Sequence, residues 1–406
     1  MINSITLLGS SSGRNAGDAA LIAGIMDSVD ARLGRRIRYE IPTINPKYIR
    51  DQYHNDTVPI GMMPWHGSVK MFGIPTYRSI MRTDLTLIFD AILFDRALYN
   101  PLFNYMSSCW LMLPRAKRKG KKMAFMNVGG GPVKTNNGQK MLRDLSEIMD
   151  FMTARDAASY DIIRHELGVK NPRLLRTADS ALNLVPCEKE RAQEILRENG
   201  IDPEANILGI NVNRYIDTWA DKSNAESMGT DAFVDAYVKA LDEVMPEIDA
   251  PVVFVATQHH DIDVSNAIIN KLKRKDQAVL IANKYYNHYE IKGVLGELDL
   301  LFGMRLHANI LGSSTLTPIV GLNYQPKVKF YFDDLGLSEY ALPFDDFSAE
   351  SVKELLLRGW AKRADIRKTL ETIIPVVKEK ADSASRYVKI LDEGGDLDQA
   401  FIDAGA

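Results

Sequence analysis

Arg305 and His307 stand one residue apart in DLLFGMRLHANILGSSTLTPIVGLNYQPK, residues 299–327, where an apolar run gives way to a helical pattern. A planar guanidinium fork suits a carboxylate or phosphate, and an imidazole can hold or release a proton near neutral pH. Ligands of open α/β sheets bind at strand ends, and this pair would lie at the positive end of the helix that follows. The chemistry these residue types admit is recognition of an anion coupled to a proton transfer. The bland alternative for a lone Arg-x-His is a surface arginine beside a hydrogen-bonded histidine.

A second loop carries Gly9, Gly13 and Gly17 between a short apolar run and a helix. The spacing matches neither GxGxxG nor GxxxxGK[ST], so a dinucleotide or ATP fingerprint is absent. What stays is a glycine loop entering a helix N-terminus, where backbone N–H groups favour an anion. Asp18 would repel a phosphate there. Asn15 or Asp18 caps the helix, or Asp18 orients or deprotonates a sugar hydroxyl. Arg155-Asp156 reads equally as an internal ion pair or as a ligand contact. His259, His260, Asp261 and Asp263 lack a distant third His or Cys at recognisable spacing, which argues against a metal. Tyr285, Tyr286, His288 and Tyr289 could line a sugar cleft, although interdomain packing is the more ordinary use of such a cluster.

These residues need a framework, and the chain supplies one by alternating apolar strand-like runs with amphipathic stretches, the pattern of a parallel α/β sheet. Ile5–Leu8, a loop and a helix over residues 18–29 form the first unit, and Met123–Val128 with Gly129, Gly130, Gly131 and Pro132 repeats the pattern. Strands at 207–212, 252–256, 278–282, 298–303 and 318–322 form a second set. From Ser348 the chain is charged and helical. The expected organisation is two Rossmann-like doubly wound domains, residues 1–185 and 186–347, with C-terminal helices over 348–406.

Composition bounds the function. At 46% hydrophobic and 25% charged, 406 residues make an ordinary globular chain and exclude disorder. A net charge of −3 argues against a general nucleic-acid partner, yet residues 1–190 carry +8 and residues 191–406 carry −11. Two cysteines, Cys109 and Cys187, cannot build a disulfide framework, and there is no signal-like or membrane-spanning run. A cytoplasmic protein is expected. Residues 98–122, apolar with aromatics and then basic from Arg115 to Lys122, read as a buried helix with a solvated basic turn, or as a peripheral contact with an anionic membrane.

Several segments in order resemble the polysaccharide pyruvyl transferase family. Asn15, Gly17 and Asp18 are similar to its N-x-GD opening, and NVGGGP at 127–132 to its central glycine turn. TARDAASYDIIRHELGV from Thr153 resembles S-x-RD-x-x-S and its following helix, with Thr153 in place of serine. TADSA at 177–181, INVNR at 210–214, TQHHDID at 257–263 and MRLHA from Met304 complete the series. In one place the chain departs from the family: Asp90 and Ala91 stand where glycines are usual.

The resemblance implies a GT-B-like fold and transfer of pyruvate from phosphoenolpyruvate to a sugar as a cyclic ketal. Phosphoenolpyruvate brings about three negative charges. The resemblance offers Arg214, Arg305, Leu306, Arg155 and Lys327 to the donor in the second domain, and Asn15, Gly17, Asp90 and His259 to the acceptor. His307 is the implied general acid and Asp18 a base; no cofactor or metal enters the scheme. The acceptor would be a glycan precursor, lipid-linked or not. Two readings compete with this one: a glycosyltransferase of the same fold using a nucleotide sugar, and a non-catalytic glycan-binding member.

Overall fold

The computed structural model describes residues 1–62, 73–89, 92–95, 105–214 and 229–405. The described chain divides into two compact units, the first of residues 1–13, 18–184 and 377–406, the second of residues 14–17 and 185–376.

The first unit contains β1 (Ser4–Leu8), β2 (Arg38–Thr43), β3 (Asp56–Gly61), β4 (Leu85–Ile88), β6 (Lys122–Val128), β8 (Phe151–Ala154) and β9 (Leu174–Arg176). They form a parallel sheet in the order β3-β2-β1-β4-β6-β8-β9, and β5 (Leu93–Asp95) pairs separately with β7 (Gly130–Val133). Every residue of β4 and β8 is buried, as befits strands covered on both faces. On one side lies a core that includes Ile88, Leu113, Phe125, Leu142 and Leu145. The helix Asn136–Ile148 starts where the Thr135 side chain accepts from Gly138 N, and buries Met141, Leu142 and Leu145 on one face. The helix Tyr105–Lys117 buries Met106, Cys109, Leu113 and Ala116 at helical spacing. In the segment 98–122, the described residues form this helix with one buried face and a turn whose Arg118 and Lys119 are exposed; residues 98–104 lie outside the described part.

The second unit contains β10 (Leu208–Asn211), β11 (Val252–Ala256), β12 (Ala278–Ala282), β13 (Leu300–Gly303), β14 (Ile319–Asn323) and β15 (Ala341–Pro343), all parallel, in the order β12-β11-β10-β13-β14-β15. Both sheets thus grow outward on either side of their first strand, the doubly wound order. The strands expected at 252–256 and 278–282 lie there, and those expected at 207–212 and 298–303 are shorter by two residues each.

The C-terminal helices, expected to pack on or cross between the two domains, are divided between the units. One helix, Ala349–Glu393, runs through the change from Val376 in the second unit to Val377 in the first. Pro375, which has no N–H to donate, sits beside that change. In the first unit its later turns place the Ala381 carbonyl on Asn127 and the Lys378 carbonyl on Asn183. Both cysteines are free, and burial pushes the Cys109 thiol up to about 12. No helix among the described residues is long and apolar enough to cross a membrane.

Candidate functional site

The site is built outward from the end of β10. Asn211 is fully buried, and its Nδ2 donates to the Val255 carbonyl of β11 at 2.8 Å. Its Oδ1 accepts Arg305 N at 2.9 Å, and its backbone carbonyl accepts Met304 N at 3.0 Å. One amide thereby ties together the carboxyl ends of β11, β10 and β13, where the strand order reverses.

Arg305 is the N-cap residue of the helix Leu306–Ser313. Its Nε donates to Asp261 Oδ2, and its Nη2 donates to Asp261 Oδ1 at 2.7 Å and to Asn213 Oδ1 at 2.9 Å. Asp261, in the 3-10 turn after β11, is completely buried, and its Oδ1 also accepts Arg214 N at 3.2 Å. The pair is bidentate and charge-assisted, the geometry in which Arg and a carboxylate hold each other most rigidly. Arg214 carries its charge outward: its side chain is 55% exposed, with Nη1 3.4 Å from Asp263.

His307 lies in the first turn of the same helix and is half-buried. Gly17 packs so closely on it that a Cβ there would overlap Cβ, Cγ and Nδ1 of the imidazole. Residues 14–17 reach this position by bridging to the loop after β11: Asn15 pairs with Gln258, Ala16 N donates to Thr257 O at 2.8 Å, and His259 N donates to Arg14 O at 3.1 Å. Asn15 Oδ1 accepts Gly17 N at 2.9 Å, which holds the turn. Burial lowers the pKa of His259 below 6.5, and the charges of Arg14, Lys284 and His260 lower it further.

Asn15, Gly17, Arg214, His259, Arg305, Leu306 and His307 are therefore assembled within the second unit. Lys327 stands on the same strand-end edge, at the second position of the helix Pro326–Asp334 after β14. Asp18, half-buried, belongs to the first unit, in the first turn of the helix Ala16–Leu33. Arg155 belongs to that unit too, 5% exposed, with Nη1 3.1 Å from Asp179 and Nε 3.4 Å from Asp156. It occupies the internal ion pair that its sequence left open. Asp90 and Ala91 lie outside the described residues.

Among the described residues, no three His, Cys, Asp or Glu side chains group to hold a metal. Asp261 is committed to Arg305 instead. In the aromatic cluster, His288 and Tyr289 are buried, Tyr286 meets Asn199 at 2.9 Å through its hydroxyl, and Tyr285 is 71% exposed. Sequence reasoning did not single out Asn211, Asn213 and the role of Asp261. The signal was present in INVNR, where two amides precede the arginine at a strand end.

Comparison with known proteins agrees with the fold. The chain is similar to a Listeria monocytogenes protein assigned as a UDP-N-acetylglucosamine 2-epimerase, with 11% identity, 98% of each chain covered and a TM-score of 0.65. It is also similar to HepE of Anabaena in complex with UDP, with 9% identity, 97% of this chain and 100% of that one covered, and a TM-score of 0.59. The UDP-GlcNAc 2-epimerase of Neisseria meningitidis bound to UDP-GlcNAc gives 11% identity, 96% and 99% coverage, and a TM-score of 0.59. At these identities the likeness establishes the GT-B-like architecture alone. No curated protein matches the chain. The model of the polysaccharide pyruvyl transferase family matches residues 15–326, from the Asn15 turn through the Arg305 and His307 helix to the start of the last helix on that sheet edge. The chain belongs to the polysaccharide pyruvyl transferase family.

Proposed function

We propose that this transferase moves pyruvate from phosphoenolpyruvate onto two hydroxyls of a sugar, in a polysaccharide or a glycan precursor, as a cyclic ketal. The observation that carries the reading is the joining of Arg305, locked by Asp261 and Asn213, to His307 in the first turn of one helix. Anion recognition and proton delivery then share one rigid element.

The donor's carboxylate and phosphate need cations, and Arg214, Arg305 and Lys327 supply them on the edge formed by β10, β13 and β14. Leu306, between Arg305 and His307, is buried, 7% exposed. His307 gives a proton to the methylene carbon of the enol phosphate, making a methyl group and an oxocarbenium-like centre at the neighbouring carbon. A sugar hydroxyl adds to that centre and gives up its proton, with Asp18 as the assigned base. The bond to phosphate breaks, the electron pair leaving with phosphate, and the second hydroxyl closes the ring, its proton ending on the released phosphate. Atoms balance as donor plus diol giving ketal plus phosphate, with no redox partner. Asn15, Gly17, Asp90 and His259 are assigned to the acceptor, whose sugar is free or carried on lipid.

A second reading, transfer from a nucleotide sugar, is favoured by the UDP bound in the similar HepE structure. The two separate in D2O with a panel of glycans. Pyruvyl transfer releases phosphate and leaves a new methyl group carrying one deuterium, seen by mass and proton spectra. A product that keeps a vinyl group would mean an enolpyruvyl ether instead, and release of UDP with no phosphate from phosphoenolpyruvate would replace the proposal with glycosyl transfer.

A further inference from the structure

Asp261 has no assigned part in the reaction, yet its charge is completely buried in the second unit. Its side chain is 0% exposed, and both oxygens are used. Oδ2 accepts Nε of Arg305, while Oδ1 accepts Nη2 of Arg305 at 2.7 Å and the backbone N–H of Arg214 at 3.2 Å. The two residues it grips lie 44 and 47 positions away, after β13 and after β10. Its own turn is held, since Asp261 N donates to Gln258 O at 3.0 Å and Ser265 Oγ donates to its carbonyl at 2.8 Å. The carboxylate is thus the anchored partner.

Two consequences follow from elementary electrostatics. A guanidinium has five N–H donors in a rigid fork, and Asp261 with Asn213 takes three of them, Nε–H and both of Nη2. The fork is therefore set before any ligand arrives. The Arg305–Asp261 pair is also neutral as a unit, so attraction of an anion falls to cations outside it: Arg214, whose exposed 3.4 Å pair with Asp263 is weak enough for a ligand to displace, and Lys327 on the same strand-end edge.

We infer that Asp261 is the positioning residue of the donor site: it fixes the guanidinium of Arg305 and, through the same carboxylate, the backbone at Arg214, so that specificity comes from Arg305 and net attraction from Arg214. The inference deepens the proposed function and rests on it for the identity of the donor, though not for the grip itself.

The test is a double-mutant cycle on the whole chain. Phosphoenolpyruvate affinity is measured for the wild type, Asp261→Asn, Arg305→Lys and the double variant, beside the Nε–H signal of Arg305 in nitrogen-labelled protein. In Asp261→Asn the Nε–H signal moves and exchanges faster while other arginine signals stay, and affinity falls at least about thirtyfold, as expected for loss of hydrogen bonds to a charged group. Adding Asp261→Asn to Arg305→Lys costs at most about threefold more, because lysine has already given up the bidentate grip. A merely structural aspartate would lower affinity equally in both backgrounds, although it too would shift the Nε–H signal that it bonds, and that equal loss overturns the inference. Should the wild type bind UDP-glucose and not phosphoenolpyruvate, the proposed function fails, and the same cycle read with UDP-glucose still decides the role of Asp261. Should it bind neither, there is no donor site for Asp261 to position, and the inference fails together with the proposed function.

Discussion

Two asparagine-centred networks, one in each unit, use the same residue types for different ends. In the first unit Asn127, at the end of β6 with φ +50°, is fully buried. Its Nδ2 donates to Ser180 Oγ at 2.8 Å and Ala381 O at 2.9 Å, and its Oδ1 accepts Thr153 Oγ1 at 3.0 Å and Thr177 Oγ1 at 2.6 Å. Arg155 beside it is closed between Asp179 and Asp156. In the second unit Asn211 organises Arg305 and Asp261, but that chain of contacts leads outward, to an Arg214 side chain 55% exposed and a half-buried His307. A network closed in the interior specifies a fold, and one that reaches a guanidinium held only by an exposed pair with Asp263 can meet a ligand. The pieces of family pattern around Asn127, Thr153 and Thr177 are in this sense architectural. Thr153, in place of the usual serine, keeps the hydroxyl that Asn127 bonds.

This contrast predicts unequal responses. The largest effect on rate should come from His307→Ala, with turnover falling about 10²–10⁴-fold and donor affinity changing little, as for loss of a general acid; single-turnover assays beside binding curves check it. The largest effect on stability should come from Arg155→Ala, which strands Asp179 in the interior at a cost of about 3–5 kcal/mol while leaving donor affinity intact in whatever stays folded. Urea unfolding followed by titration at low denaturant measures both. If Arg155→Ala abolished donor binding at full stability, the two networks would not differ as described.

Gly17→Ala comes next. Its Cβ would overlap the imidazole of His307, so turnover should drop with a stability loss of about 1–3 kcal/mol, the usual range for overpacking. Arg214→Ala should leave the melting curve within about 0.5 kcal/mol, as for an exposed side chain, yet weaken donor binding more at low salt than at high.

The smallest effect is a pH dependence. The pKa of His259 lies below 6.5 in the folded chain, because burial disfavours its charged form. The folded state then binds fewer protons than the unfolded one, so stability is lost as pH falls through 6.5 toward the folded value. His259→Gln should flatten the melting temperature over that window and leave it unchanged above pH 7.5 or so.

Much of this was legible in the chain. The α/β alternation, the strand ends near Gly129 and Met304, and the pairing of Arg305 with His307 come from local patterns of two to ten residues. The partners of these residues do not. Asp261 reads as one acid in HHDID until the strand order sets the end of β10 between the ends of β11 and β13. Residues 14–17 read as part of the first domain because they follow β1, but a bridge to Gln258, far along the sequence, assigns them to the second. The helical period of residues 349–393 gives their conformation and not the unit each turn packs in.

The most direct test of the central claim, that the Arg305 network is a phosphoenolpyruvate site, is calorimetric titration of the wild type, Arg305→Ala and His307→Ala with phosphoenolpyruvate and with UDP-sugars. The account predicts saturable phosphoenolpyruvate binding that Arg305→Ala abolishes and His307→Ala keeps. Binding of a UDP-sugar with none of phosphoenolpyruvate would contradict it.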